Sequence, residues 1–266
     1  MRTRMWKKLF AFVVVLALAL SLPASARPAD RVAGGRYDRV IAAEVNKRLQ
    51  GDNKLRDVRA AVDDGVVTLT GSVARYADKE KAEKRAAKVK EVTHVRNLIA
   101  VRTEGLSDEE LARRLARKLA YDPYGYFGRY GSGSMFNHLT LSVRNGVATL
   151  GGEVRNESSR DYAVAVAKNE KGVRGVENRI RLLPASFFDD DIRARAARAI
   201  YGDPVLRRYA NDPGAPIRIV VERGHITLYG VVSNRMDSQV AEIRAREVPG
   251  AFSVQNRLIV SKDVAY

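Results

Sequence analysis

The chain has 266 residues, no cysteine and a formal net charge of +16. Without cysteine there is no disulfide framework, so stability must come from packed cores. The positive field draws in anions, whether phospholipid headgroups, nucleic acid or anionic polymer, and it serves solubility equally well.

Arg2, Arg4, Lys7 and Lys8 precede an apolar run from Leu9 to Leu22 that only Ser21 interrupts. Pro23-Ala24-Ser25-Ala26 then supplies a small-x-small cleavage site. This is the pattern of a secretory signal peptide, with cleavage expected after Ala26. Fourteen residues fall short of the roughly 20 needed to span a bilayer. No cysteine follows the run to carry a lipid anchor. Residues 1–26 hold four cations and no acid, so the remainder carries 43 basic against 31 acidic residues, or +12. Residues 27–37 read as a flexible lead.

A helix is predicted over 38–49, then a strand over 58–62. The pair Asp64-Gly65 follows, and a second strand runs from Val66 to Thr70. Asp-Gly between two apolar runs is a strong hairpin signal, because a primed turn needs φ > 0. A charged helix over 78–90 and a third strand over 98–101 complete unit one, residues 38–102. After a short linker, unit two spans 107–182. Its first helix, 108–119, opens on Ser107-Asp108-Glu109-Glu110, a capping box. Strands over 139–143 and 147–150 flank Asn145-Gly146. A helix over 159–169 follows Asn156, placed as its N-cap, and a strand over 180–182 ends the unit. Unit three, 187–261, repeats the order: a helix over 189–200, strands over 217–221 and 226–229 around Arg223-Gly224, a helix over 236–247 after Asn234, and a strand over 258–260.

The three units are copies. From turn glycine to a later asparagine, Gly65 to Asn97, Gly146 to Asn178 and Gly224 to Asn256 are each 32 residues apart. An internal repeat of this kind outranks any single-segment reading. The pattern D/N-G-x-x-x-L-x-G, then a helix, then G-V-x-x-V-x-N-x-L/I, resembles the BON domain family. Copy three has Ala251 where the family has Val, and copy one has Glu91 where the family has Gly. The resemblance implies an α+β fold of three tandem αββαβ domains, each a small mixed sheet with two helices packed on one face. It also implies a periplasmic location and binding of lipid or other hydrophobic partners without catalysis.

The copies differ most between the first helix and first strand. Unit two inserts residues 121–136, which hold six aromatics: Tyr121, Tyr124, Tyr126, Phe127, Tyr130 and Phe136. Tyrosines spaced by glycine suit an interface that is apolar on one side and wet on the other; equally, such rings can cover the open side of a sheet. On the preceding helix, Leu111, Leu115 and Leu119 fall on one face and Arg113, Arg114, Arg117 and Lys118 on the other. In lipid-binding relatives of the resembled family this helix meets anionic phospholipid. The resemblance therefore nominates Arg113, Arg114, Arg117 and Lys118, with Tyr121, Tyr124, Tyr126, Phe127 and Tyr130, as lipid-binding residues. An ordinary solvated basic face is the competing reading.

No enzyme chemistry is expected. His94, His138 and His225 are scattered, so no metal site is expected, and no phosphate-cradling loop or nucleophile elbow indicates a cofactor. Asp189-Asp190-Asp191 reads as helix capping. The expected partners are anionic phospholipid or a membrane surface, together with envelope proteins, and no nucleic acid. The expected role is envelope integrity or stress tolerance; a periplasmic chaperone or interaction scaffold is the alternative. Nothing in the sequence sets the oligomeric state.

Overall fold

The computed structural model describes residues 28–103, 105–127, 134–210 and 217–261. The expected signal peptide and Tyr130 lie outside them. Unit one contains α1 (Pro28–Gln50), β1 (Val58–Asp63), β2 (Val66–Val73), α2 (Tyr76–Ala87), β3 (His94–Asn97) and β4 (Ala100–Val101). Unit two contains α3 (Asp108–Ala120), β5 (His138–Arg144), β6 (Val147–Val154), α4 (Glu157–Asn169) and β7 (Gly175–Leu182). Unit three contains α5 (Phe187–Gly202), the short α6 (Arg207–Ala210), β8 (Arg218–Glu222), β9 (His225–Val232), α7 (Arg235–Arg246) and β10 (Ser253–Val260). The segment read as a flexible lead is helical from Pro28 onward, which corrects that expectation. Proline suits a first helical turn, where its missing N–H has no partner to lose.

Each sheet is mixed. The hairpin strands pair antiparallel, and the strand after the second helix returns parallel to the middle one. The hairpin turns have φ of 47° and 74° at Asp64-Gly65, 51° and 75° at Asn145-Gly146, and 51° and 78° at Arg223-Gly224. Positive φ at both positions is the geometry that matches strand twist in a two-residue hairpin. Gly71 and Gly152 have φ of 110° and 100°, and a Cβ there would lie 2.0 Å from Asp57 O and 2.3 Å from His138 O. These motif glycines let the middle strand press against its neighbour.

The constant 32-residue spacing has a structural cause. Asn97, Asn178 and Asn256 stand opposite Leu69, Leu150 and Leu228, the same register in all three sheets. In unit one, Val45 and Leu49 of α1 and Ala82 and Ala86 of α2 pack on Val67, Leu69 and Val73 of β2. Both helices therefore cover one face. The second helix presents alanine at matching positions in every copy, Ala82 and Ala86, Ala163 and Ala167, Ala241 and Ala245, all fully buried. Small side chains bring that helix close to its sheet.

The units touch. Lys168 pairs with Glu80 at 2.8 Å, and Tyr76 packs on the core of unit two. Across the second junction Arg181 pairs with Glu222 and Arg155 with Asp190, each at 2.7 Å, and the His138 and Tyr229 rings stack at 3.7 Å.

Candidate functional site

Each unit is braced by two aspartates whose contacts the sequence does not reveal. The first lies on the first helix, in its opening turn in units two and three and ten residues past Pro28 in α1, and accepts both N–H groups of the hairpin turn. Asp38 takes Asp64 N and Gly65 N, both at 3.0 Å. Asp108 takes Asn145 N at 2.6 Å and Gly146 N at 2.8 Å. Asp189 takes Arg223 N at 2.9 Å and Gly224 N at 2.8 Å. The expectation that Asp189 to Asp191 cap the helix is therefore corrected: Ser186 is the N-cap, and Asp189 holds the turn. Asp190 pairs with Arg155 and Arg193, and Asp191 with Arg195.

The second aspartate comes 14 residues later each time, at Asp52, Asp122 and Asp203. It folds the loop leaving the helix. Asp52 and Asp203 each accept one amide two residues on and also pair with cations of the second helix: Lys81 and Arg85 with Asp52, Arg244 with Asp203. The Arg244 pairing and these amide bonds hold the Asp203 carboxyl below the usual range; for Asp52 the bond from Lys81 leads. Asp122 is fully buried and accepts amides of Tyr124, Tyr126 and Phe127. Where units one and three have Arg85 and Arg244, unit two has Val166; where unit one has Lys81, unit two has Tyr162. Tyr124, Tyr126 and Tyr162 form a ring cluster there, with centroids 5.6 to 5.9 Å apart. Burial raises the Tyr162 hydroxyl pKa.

The nominated residues divide. Phe127 is 5% exposed and belongs to the core of unit two, so it is not available to a surface. Tyr126 is half-buried against that core. Lys118 Nζ lies 2.5 Å from Oε2 of the buried Glu170, and Arg114 is half-buried. Arg113 and Arg117 are exposed, as are Tyr121 at 72% and Tyr124 at 70%. Arg113, Arg117 and Tyr121 follow at intervals of four along α3 and its C-cap, which aligns them as one ridge. Tyr124 stands beyond its end.

The loop carrying these rings is held from unit three. Arg218 donates to Phe127 O at 2.8 Å and to Ser134 O. Burial pushes the Arg218 pKa down. Within unit two, Asn137 donates to Tyr126 O at 2.9 Å and accepts from Arg155 N at 2.9 Å. In unit three, Arg207 and Arg208 lie on α6, and Arg208 pairs with the buried Asp237. Among the described residues one carboxylate trio with metal-ligand spacing occurs, Asp38, Asp63 and Asp64. The Asp38 carboxylate there already accepts the turn amides. No helix among the described residues is long and apolar enough to cross a membrane.

The family model described as "BON domain" matches residues 37–103, 107–184 and 189–262. Osmotically-inducible protein Y of Escherichia coli (strain K12) is 29% identical over 153 residues, covering 54% of this chain and 72% of that protein. Two solved structures of CdsD, a structural protein of the type III secretion system of Chlamydia trachomatis, align over 82% of this chain and 96% or 91% of theirs. Their identities are 13% and 12%, with a TM-score of 0.23 in each case.

Proposed function

The chain belongs to the BON domain family, and from that premise we propose that it is a non-enzymatic periplasmic protein that binds anionic phospholipid surfaces through unit two. The similarity to an osmotically inducible protein supports a role in envelope integrity under osmotic stress. The observation that carries the reading is the ridge on α3. Two exposed guanidinium groups, Arg113 and Arg117, lead into two exposed phenol rings, Tyr121 and Tyr124. The guanidinium groups meet lipid phosphates while the rings settle at headgroup depth. Leu111, Leu115 and Leu119, buried beneath, keep the helix rigid.

Each cation near an anionic surface contributes about 1 kcal/mol, so reversing Arg113 and Arg117 weakens binding by at least about tenfold. The test is co-sedimentation of the chain and its Arg113→Glu/Arg117→Glu variant, which differ nowhere else, with anionic and zwitterionic vesicles. The expected result is a preference for anionic vesicles that salt weakens and the variant loses. Equal binding to both vesicle types at low salt, or an unchanged variant, overturns the reading.

A further inference from the structure

Three of the chain's seven phenylalanines, Phe187, Phe188 and Phe252, gather at the hairpin-turn end of unit three. They are 97%, 48% and 70% exposed. The other copies lack this trio of rings: the matching positions hold Arg36, Tyr37 and Thr93 in unit one, where Tyr37 alone is aromatic, and Leu106, Ser107 and Arg174 in unit two. The Phe252 ring lies against the turn, so that a Cβ on Gly224 would meet it at 2.7 Å. Phe188 lies 3.6 Å from where a Gly250 Cβ would stand. The two rings are 6.1 Å apart and lean on glycine backbone, while Phe187 projects into solvent.

The charge around the rings suits an anionic surface. Asp189 is taken by the turn amides, Asp190 by Arg155 and Arg193, and Asp191 by Arg195. Arg223 is exposed at the tip of the turn. Every neighbouring carboxylate therefore has a partner, and the exposed charge at the turn is positive.

The patch also continues the surface of unit two. Arg155, which pairs with Asp190 beside Phe188, has its backbone N–H on Asn137, and Asn137 holds the carbonyl of Tyr126. The phenylalanines thus stand where unit three abuts the ring-bearing end of unit two. Rings that project above a turn fit a medium that yields around them, as the acyl boundary of a bilayer does.

We propose that Phe187, Phe188 and Phe252 are a second bilayer contact, one that inserts apolar rings rather than pairing charge. It deepens the reading of the chain as a protein that binds anionic bilayers and rests on that reading, not on the choice of unit two as its contact. The test uses the full chain with its single tryptophan removed, Trp6→Phe, and one tryptophan restored at a chosen site. Phe187→Trp should shift to shorter emission wavelength with anionic vesicles and be quenched by lipids brominated along the acyl chain. Met236→Trp should do neither, since Met236 is exposed at the start of α7, the opposite end of unit three. Phe187→Ser/Phe252→Ser should weaken vesicle binding about tenfold and leave its salt dependence in place.

An unshifted, unquenched Phe187→Trp in a vesicle-bound chain overturns the proposal, including the case where these rings instead hold polypeptide. If Arg113→Glu/Arg117→Glu abolishes binding while Phe187→Trp stays unquenched, unit two alone contacts the bilayer. If Phe187→Trp is quenched and the arginine variant binds as the parent does, the inserted rings stand and the unit-two reading falls. A chain that binds no vesicle removes both.

Discussion

Replacing Asp189 by alanine tests the brace between first helix and hairpin. The carboxylate is 2% exposed and accepts Arg223 N at 2.9 Å and Gly224 N at 2.8 Å. Hydrogen bonds to a charged acceptor contribute about 1.5–3 kcal/mol each. Gly224 is buried, so its N–H would be stranded, whereas the exposed Arg223 can turn to water. Counting one full loss and one partial loss, Asp189→Ala should cost unit three about 3–4 kcal/mol. Asp189→Asn keeps one oxygen but turns an NH₂ toward a donor, and should cost about half as much. Native-state hydrogen exchange at Arg223 and Gly224 is the suitable assay, because three units need not unfold as one. Asp161→Ala is the control: that carboxylate is 66% exposed, and its contact with Arg160 is a surface pair, so its loss should cost only a few tenths of a kcal/mol. If Asp189→Ala costs no more than Asp161→Ala, the proposed brace does not hold the fold.

Glu91 takes φ of 66° where the other copies have Gly172 at 89° and Gly250 at 86°; Glu91→Gly should therefore stabilise unit one by about 0.5–1 kcal/mol in urea unfolding, and a destabilised variant would refute this. His138 lies against Tyr229, with Arg218 and Arg257 nearby, and burial first, then those cations, hold its pKa down at about 4 from 6.5. The folded state disfavours the imidazolium, so this contribution is complete above pH 6.5, falls as pH drops toward 4, and is lost below. The drop corresponds to at most about 3 kcal/mol, and the ring's partial exposure reduces it to about 1–2 kcal/mol. Wild type and His138→Phe, which keeps a ring on Tyr229, should diverge in stability across that window; parallel curves would refute the assignment.

The repeat was legible because register enforces it. A helix of 12 or 13 residues and a parallel return to the same leucine leave no room for insertion between turn glycine and asparagine, so the spacing survives in the sequence. The apolar pattern predicts third strands over 98–101, 180–182 and 258–260, whereas they begin at His94, Gly175 and Ser253. Their opening residues, such as His94-Val95-Arg96-Asn97, present one face to the core and one to water at the sheet edge, so they lack the apolar run that marks a central strand. The aspartates 14 residues apart were visible as spacing, but their role was not, since each carboxylate acts on amides far along the chain or in an irregular loop. The fate of the aromatic insertion was hidden for the same reason. Its rings were countable, yet Phe127 turns inward because a buried Asp122 curls the loop, and Arg218, 91 residues downstream, holds it.

Arg218 makes the face of the middle copy a joint product of two copies. A chain ending at residue 184 would still encode every residue of unit two, yet it would lack the guanidinium that grips two of its loop carbonyls. Shuffling these modules between proteins would transmit strands and helices faithfully, but the contour of that loop would travel only with its downstream neighbour.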